Sequence, residues 1–499
     1  MRSRLFLPLF VLLFAVTAVS AQTVIKTLKI STKDFSDVPG TPRIVRNGFD
    51  HEWLVAWRQQ GSPSKIIGRL IESDGTLRSK KTLAKKVSSA AQSFDIFFDS
   101  VNYNYLLAYE NASGLQAQLF SNILKKKGTA ENIEAGVSGT IPRLAFDPVD
   151  QKFLLFWISD SGSSLKSVLL DIDGNISGSI LTLDSSSPGT TFRSLNVSTN
   201  QDTGNLMAIV SESDGSTGKL LGYRIKPDGS LQKKKPLGLS PSDPDLNSNF
   251  ADSSFSDAGT GVAFWSDDDT LIRRKLSRKG GLASTAKKIP DEADDNSGQT
   301  SILFDSRNNL FVGVWTMANQ IRVLGMNPSS GDIEEDPFEI ASSEFTNSLN
   351  PTTSYDAQVG NAIAVWEDST EDATSIAAGG DAKFRIRGAL FFYENATSQK
   401  NITIGDNFFS SSNGNGDLTI SAGETVAWVN NGNNPHTVTS GSESNPGTIF
   451  DAGTLSRGDT FSFRFTDPGS FPYYCQVHGS SVMSGTITVQ SSGEPPPRY

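Results

Sequence analysis

The sequence predicts an all-β chain in two parts, a ring of seven four-stranded units followed by a smaller sandwich of two sheets. Three observations carry this. Apolar runs end at Trp57, Tyr109, Trp157, Val210, Trp265, Trp315 and Trp366, so one anchor position recurs at gaps of 52, 48, 53, 55, 50 and 51 residues. Asp99, Asp147, Asp305 and Asp356 each stand ten residues ahead of an anchor, at the end of a short apolar strand such as Leu144-Ala145-Phe146. From about Asn395 the composition shifts to short, glycine-rich strand segments, and long helical periodicity is absent throughout.

Taken in order, Met1 to Ala21 has two arginines, an almost wholly apolar run from Leu5 to Val19, and Ser20-Ala21 before Gln22. This is the pattern of a secretory signal peptide cut after Ala21. The run is shorter than the roughly 20 residues a spanning helix needs, and no later stretch could span a bilayer. The expectation is a secreted or periplasmic protein with no transmembrane segment in the mature chain.

Residues 22–394 then repeat. Each unit has a strand, a turn carrying Asp, a strand ending in the anchor and a third strand such as Ile66 to Ile71, Lys166 to Ile172, Leu220 to Ile225 or Phe384 to Phe392. Next comes a turn (Asp74-Gly75, Asp173-Gly174, Asp228-Gly229), where Gly can take the positive φ of a tight hairpin, and a more polar fourth strand. Four strands per period of about 50 residues signal a β-propeller, here of seven blades. The last unit lacks its fourth strand, and Thr23 to Ser31 reads as a fourth strand with no preceding three. Pairing the two closes the ring and covers both edges.

Five of the seven tryptophans occupy the anchor. Embedded in apolar strands, they read as blade core rather than a sugar-stacking set. Asp267-Asp268-Asp269 and the Asp-Gly turns offer oxygens to calcium, but hairpin chemistry accounts for the turns. Scattered carboxylates such as Glu52 and Asp74 form no pair that would support hydrolysis. A net charge of −10 leaves no basic face for nucleic acid, and Lys125 to Lys127 and Lys233 to Lys235 read as solvated loops. A single cysteine excludes an internal disulfide, so packing must hold the chain together. Asn111, Asn175, Asn196, Asn395 and Asn401 are glycosylation sequons, relevant where the source modifies such sites.

The chemistry concentrates near the end of the sequence. The stretch from Tyr473 to Met483 holds the sole cysteine, Cys475, and one of three histidines, His478; a second, His436, lies in Asn434-Pro435-His436-Thr437-Val438. Two imidazoles, one thiolate and one thioether make a copper set, the trigonal His₂Cys site with a long axial Met expected of blue-copper electron transfer. Zinc is disfavoured, because Met is not among its usual ligands. Cys475, His478 and Met483 fall in one loop between the strands Ser470 to Cys475 and Gly485 to Gln490, while His436 comes from the start of another strand.

Residues 396 to 491 resemble the plastocyanin/azurin-like cupredoxin family. That family's early His, then Cys, two residues, His, four residues and Met is met at His436, Cys475, His478 and Met483. Gly423-Glu424-Thr425-Val426-Ala427-Trp428-Val429-Asn430 and Asp467-Pro468-Gly469-Ser470-Phe471 belong to the same likeness. The resemblance implies a Greek-key copper-binding domain over 395–491, one type 1 copper per chain, and the exposed edge of His478 as electron port. Tyr474 offers a second electron route or serves as a sandwich aromatic. Residues 396 to 491 carry a net charge of −4, which favours a basic redox partner protein. Residues 492–499 form a proline-rich tail.

No catalytic residue is assigned, because four protein ligands leave no open position for substrate. The nitrous oxide reductase family also joins a seven-bladed propeller to a cupredoxin. It needs a many-histidine copper cluster in the propeller and two cysteines in the cupredoxin, whereas here the propeller has His51 alone and the chain has one cysteine. The sequence therefore points to an electron carrier rather than a catalyst, with the propeller as docking or scaffold domain. The alternative is an extracellular ligand-binding or adhesion propeller with an accessory copper domain.

Overall fold

The computed structural model describes residues 21–490 apart from 32–34, 37–41, 60–62, 89–93, 241–250, 268–269, 291–298, 318–319, 343–346, 358–359, 370–382, 395–398, 423 and 466–467. The expected signal peptide up to Ser20, the tail, and Asp268 and Asp269 of the acidic triplet lie outside the described residues. Among the described residues the chain is β-strand and turn, with one 3-10 turn at Asp160–Gly162.

Seven sheets form the seven blades of a propeller. Blade 1 runs Arg43–Asn47, Glu52–Gln59, Lys65–Glu72 and Lys81–Lys85 from inside to outside, each strand antiparallel to the last. The innermost strands of blades 2 to 7 are Phe94–Asp99, Ile141–Asp147, Thr191–Thr199, Asp252–Phe255, Ser301–Asp305 and Asn347–Asp356. Each touches the next, and that of blade 7 touches that of blade 1, so the ring is closed. Blade 7 takes its outer strand from Ala21–Lys29, which pairs antiparallel with Lys383–Glu394 from Ala21↔Glu394 to Lys29↔Arg387.

The anchors lie on the second strand of each blade, whose two faces both meet a neighbouring blade. This is why the sequence shows continuous apolar runs there instead of alternation. Trp57, Trp157, Trp265, Trp315, Trp366, Tyr109 and Val210 are all buried. Seven apolar clusters result, one for each seam between blades. At the seam joining blade 7 to blade 1, Leu28 and Ile30 from the start of the chain pack with Trp53, Trp57 and Ile363.

The turns between first and second strands share one device. Asp99 Oδ1 accepts the N–H groups of Val101 and Asn102 at 2.8 and 2.9 Å; Asp147 and Asp305 do the same two and three residues on. Asn47 does so too, at 3.0 and 3.1 Å to Phe49 and Asp50. Four residues after the turn-forming side chain the backbone enters the left-handed region, at His51, Tyr103, Gln151, Gly204, Asn309 and Gly360. The Asp-Gly turns also behave as expected, Gly75, Gly174 and Gly229 having φ of 82°, 84° and 77°.

The second unit is a sandwich of two sheets. One contains Gln399–Gly405, Phe408–Ser410, Thr425–Asn430 and Thr460–Arg464; the other contains Leu418–Ser421, Thr439–Ser442, Asn445–Asp451, Gly469–Tyr474 and Ser484–Gln490. Their inner faces meet around Trp428, which packs on Phe450, Phe461, Phe465 and Tyr473. Two arginines join sandwich to propeller. Arg464 donates to Gly360 O at 2.9 Å and to Asn361 Oδ1, and its guanidinium lies 4.1 Å from the centre of the Phe392 ring. Arg307 donates to Ala357 O at 2.8 Å and to Ala422 O of the sandwich. These contacts use the first-to-second-strand turns of blades 6 and 7.

Candidate metal centre

The ligand loop begins where the strand Gly469–Tyr474 ends. Cys475 donates its N–H to Met483 O at 3.0 Å, and Cys475 O accepts the N–H groups of His478 at 3.3 Å and Gly479 at 2.9 Å. The loop thus folds back on itself over one tight turn, with Gly479 at φ 78°. Glu443 Oε1 pins it from outside, accepting Ser480 N–H at 2.6 Å and Ser480 Oγ–H at 2.8 Å.

His436 reaches the same place from the other side. The sequence places it at the start of a strand, but that strand is Thr439–Ser442, and His436 instead makes an isolated bridge with Leu455, N–H to O distances being 3.0 and 2.8 Å. Pro435 before it has no N–H to give a ladder. Asn430, fully buried, ties this loop down: Nδ2 donates to Asn434 O and Leu455 O at 3.0 and 2.9 Å, and Oδ1 accepts Gly432 N–H at 3.0 Å.

Three donor atoms converge. Cys475 Sγ lies 3.8 Å from His436 Nδ1 and 3.4 Å from His478 Nδ1, and the three ligating atoms all fall within 4.8 Å of one another. The imidazoles stack, ring centres 4.8 Å apart and planes 27° apart. Bonds of about 2.0 Å to nitrogen and about 2.3 Å to sulfur, splayed at about 120°, would set such donors about 3.7 Å apart. The observed spacing fits a trigonal metal site. Met483 is buried in the same apolar cluster as Cys475, its carbonyl bonded to the Cys475 N–H.

The surroundings favour the metal-binding forms. Burial, then the facing His478, holds His436 below its usual pKa, with Asp406 opposing, so its imidazole stays neutral and keeps a lone pair for metal. Cys475 is fully buried and its sulfur accepts the Thr437 backbone N–H at 3.3 Å, which fixes the sulfur in place. Thr437 Oγ1 also accepts Gln476 N–H at 2.8 Å, fastening the two ligand segments together. Thr437, Asn430 and Glu443 escape the sequence reading. The Thr437 contact to sulfur is a backbone bond that any residue but proline could make. Tyr474 is buried, with Thr439 and Ser484 opposite it on the adjacent strands.

The site has one open side. His436 is buried, whereas His478 is partly exposed, and Pro435, Val477 and Val482 of the two ligand segments are exposed. This pole lies at the Asn430 end of the strand Thr425–Asn430, and the propeller contacts lie at its other end, where Thr425 pairs with Arg464. A strand of that length puts about 17 Å between the two ends.

The family model for copper binding proteins of the plastocyanin/azurin family matches residues 405–490. The plastocyanin of Scenedesmus fuscus is 39% identical over 80 residues, covering 15% of this chain and 81% of that protein. The chloroplastic plastocyanin of Oryza sativa subsp. indica is 34% identical over 80 residues, covering 15% of this chain and 51% of that protein. Among solved structures, a novel purple cupredoxin from Nitrosopumilus maritimus is 28% identical, covering 18% of this chain and 99% of that one, with a TM-score of 0.16.

Proposed function

The chain belongs, through residues 405–490, to the plastocyanin/azurin family of copper-binding proteins, and on that premise we propose that it is an exported one-electron carrier. His436, Cys475 and His478 would hold a single type 1 copper, with Met483 as a further, weaker sulfur ligand. The observation that carries this reading is the convergence of His436 Nδ1, Cys475 Sγ and His478 Nδ1 from two separate segments. Bound copper supplies a reversible one-electron couple.

The chain's own part is to keep that couple rigid and shielded. Thr437 fixes the sulfur, the Leu455 bridge and Asn430 fix His436, and the Cys475–Met483 turn fixes the rest. Ligands held this firmly change little between oxidation states, which keeps reorganisation small. Electrons pass through the partly exposed His478, and the exposed, apolar Val477 and Val482 of the same loop suit close contact with a redox partner protein. The net charge of −4 over residues 396 to 491 steers a basic partner.

Export is supported by the pattern of Met1 to Ala21; among the described residues no helix is long and apolar enough to cross a membrane. The propeller serves as scaffold, carrying the sandwich by the end opposite its copper pole. Copper titration with visible spectroscopy and voltammetry tests the whole reading. One equivalent should give an intense thiolate-to-copper band and a reversible wave, both lost in Cys475→Ser; a colourless copper-loaded protein would refute it.

A further inference from the structure

The inner strands of the propeller carry a polar ring that the copper site does not use. Counting back four residues from the turn of blades 1 to 6 gives Arg43, Asp95, Arg143, Asn196, Asp252 and Ser301, at one level of successive inner strands. Side chains at this level reach toward the next blade. Asp95 Oδ1 of blade 2 lies 3.6 Å from Arg43 Nε of blade 1, and Asp95 Oδ2 accepts the N–H of Leu144 in blade 3 at 2.8 Å. Asp252 Oδ1 of blade 5 accepts the Asn196 amide of blade 4 and its neighbour Ser253 N–H, both at 2.7 Å. Its Oδ2 accepts Ile302 N–H and Ser301 Oγ–H of blade 6 at 3.0 and 3.3 Å. The Asn196 sequon is thereby occupied in the ring.

Acceptors and donors are unequally served. Each oxygen of Asp252 has a hydrogen-bond partner and Asp95 Oδ1 faces Arg43 Nε at ion-pair distance, whereas Nη2 of Arg43, a residue only 9% exposed, has no hydrogen-bond partner. A buried donor left this way is costly unless something in the cavity accepts from it. Arg43 and Arg143 each sense the charge of Asp252 as well as of Asp95. Blades 1 and 5 are not neighbours, and both groups stand on inner strands of the closed ring, so their charges interact across its centre. Burial lowers the pKa of both guanidinium groups and raises Asp252 to about 6, as for charges removed from water.

We propose that the propeller channel binds one small oxyanion, a carboxylate or a phosphate-class group, on the Arg43 guanidinium with Arg143 as the second positive charge. An oxyanion brings the lone pairs that Arg43 lacks, and a planar fork suits it. A cation finds no such vacancy, because the ring's carboxylate oxygens are already committed between blades.

The test titrates the full copper-loaded chain with phosphate, sulfate and acetate by calorimetry, at constant ionic strength made up with chloride. At least one anion should bind saturably at one site per chain, and the ranking of tetrahedral against planar anions identifies the class. Arg43→Lys keeps the charge and loses the fork, so it should weaken binding about tenfold. The thiolate-to-copper band reports the copper site separately and should not change. No saturable uptake of any of the three anions by the unmodified chain, or equal binding by Arg43→Lys, overturns the proposal.

Discussion

Replacing Asn430 with alanine should unfasten the His436 loop and lower the stability of the sandwich by an amount that the structure lets us work out. The side chain makes three hydrogen bonds in a buried setting, two donated to Asn434 O and Leu455 O and one accepted from Gly432 N–H. At about 1 kcal/mol each the loss is about 3 kcal/mol. Each partner keeps some relief, which makes that figure an upper one: Leu455 O still receives the His436 N–H, Gly432 N–H still reaches Ile404 O at 3.1 Å, and exposed Asn434 can turn to water. For a domain of this size about 3 kcal/mol corresponds to a fall of about 12–24 °C in melting temperature. Calorimetry of the metal-free chain would follow the sandwich transition, with the propeller transition as internal reference. Copper should also leave the variant faster, because metal binding must now order the loop itself. A fall under about 1 kcal/mol, with copper retention unchanged, would refute the claim that Asn430 organises the site.

Three further predictions concern the rest of the molecule. Burial raises Glu52 to about 7 from an ordinary 4.5 and Asp252 to about 6, so the folded propeller keeps protons that the unfolded chain releases; their contribution is complete below the ordinary values and lost as pH rises through about 6 to 7. Its melting point should fall from about pH 5 to about pH 8, and Glu52→Gln should flatten that slope; an unchanged slope contradicts the assignment. Arg464→Ala removes the bonds to Gly360 and Asn361 and the stacking on Phe392, so small-angle scattering should show a looser pair of domains with the copper band intact; an unaltered scattering profile argues against that junction. Trp157→Ala empties a fully buried site in the seam of blades 2 and 3 and deprives Glu134 of the indole N–H at 2.7 Å. A loss of about 3–5 kcal/mol in denaturant unfolding is expected, and one below about 1 kcal/mol would mean that the anchor is not a packing element.

What the sequence disclosed followed from residue type at fixed spacing, and what it concealed was done by backbone. The blade period could be read even through Val210, because burial on both faces demands bulk without demanding tryptophan. The marker was visible as aspartate at Asp99, Asp147 and Asp305 and invisible at Asn47, although the same turn needs only an acceptor oxygen. His51, Tyr103 and Gln151 take left-handed φ without the glycine that would announce it. In the sandwich, Thr425–Asn430 was legible to the residue, whereas Phe408–Ser410 is too short to show a pattern and Asn445–Asp451 opens on Asn-Pro-Gly, a turn signature. The polar ring is hidden for another reason: only superposing turns from six blades puts Arg43 and Asp252 at one level.

The strand Lys383–Glu394 is gripped along both sides, by Ala21–Lys29 and by Asn361–Ser369, and a few residues later the chain enters the sandwich at Gln399. Any tug transmitted from the copper pole toward the blades therefore loads two antiparallel ladders in shear, where many hydrogen bonds must yield together rather than peel one at a time. The clasp that shuts the ring is also the mooring of the electron carrier. Unzipping the first nine-residue strand would free both at once, coupling the mechanical security of the redox head to the closure of the wheel beneath it.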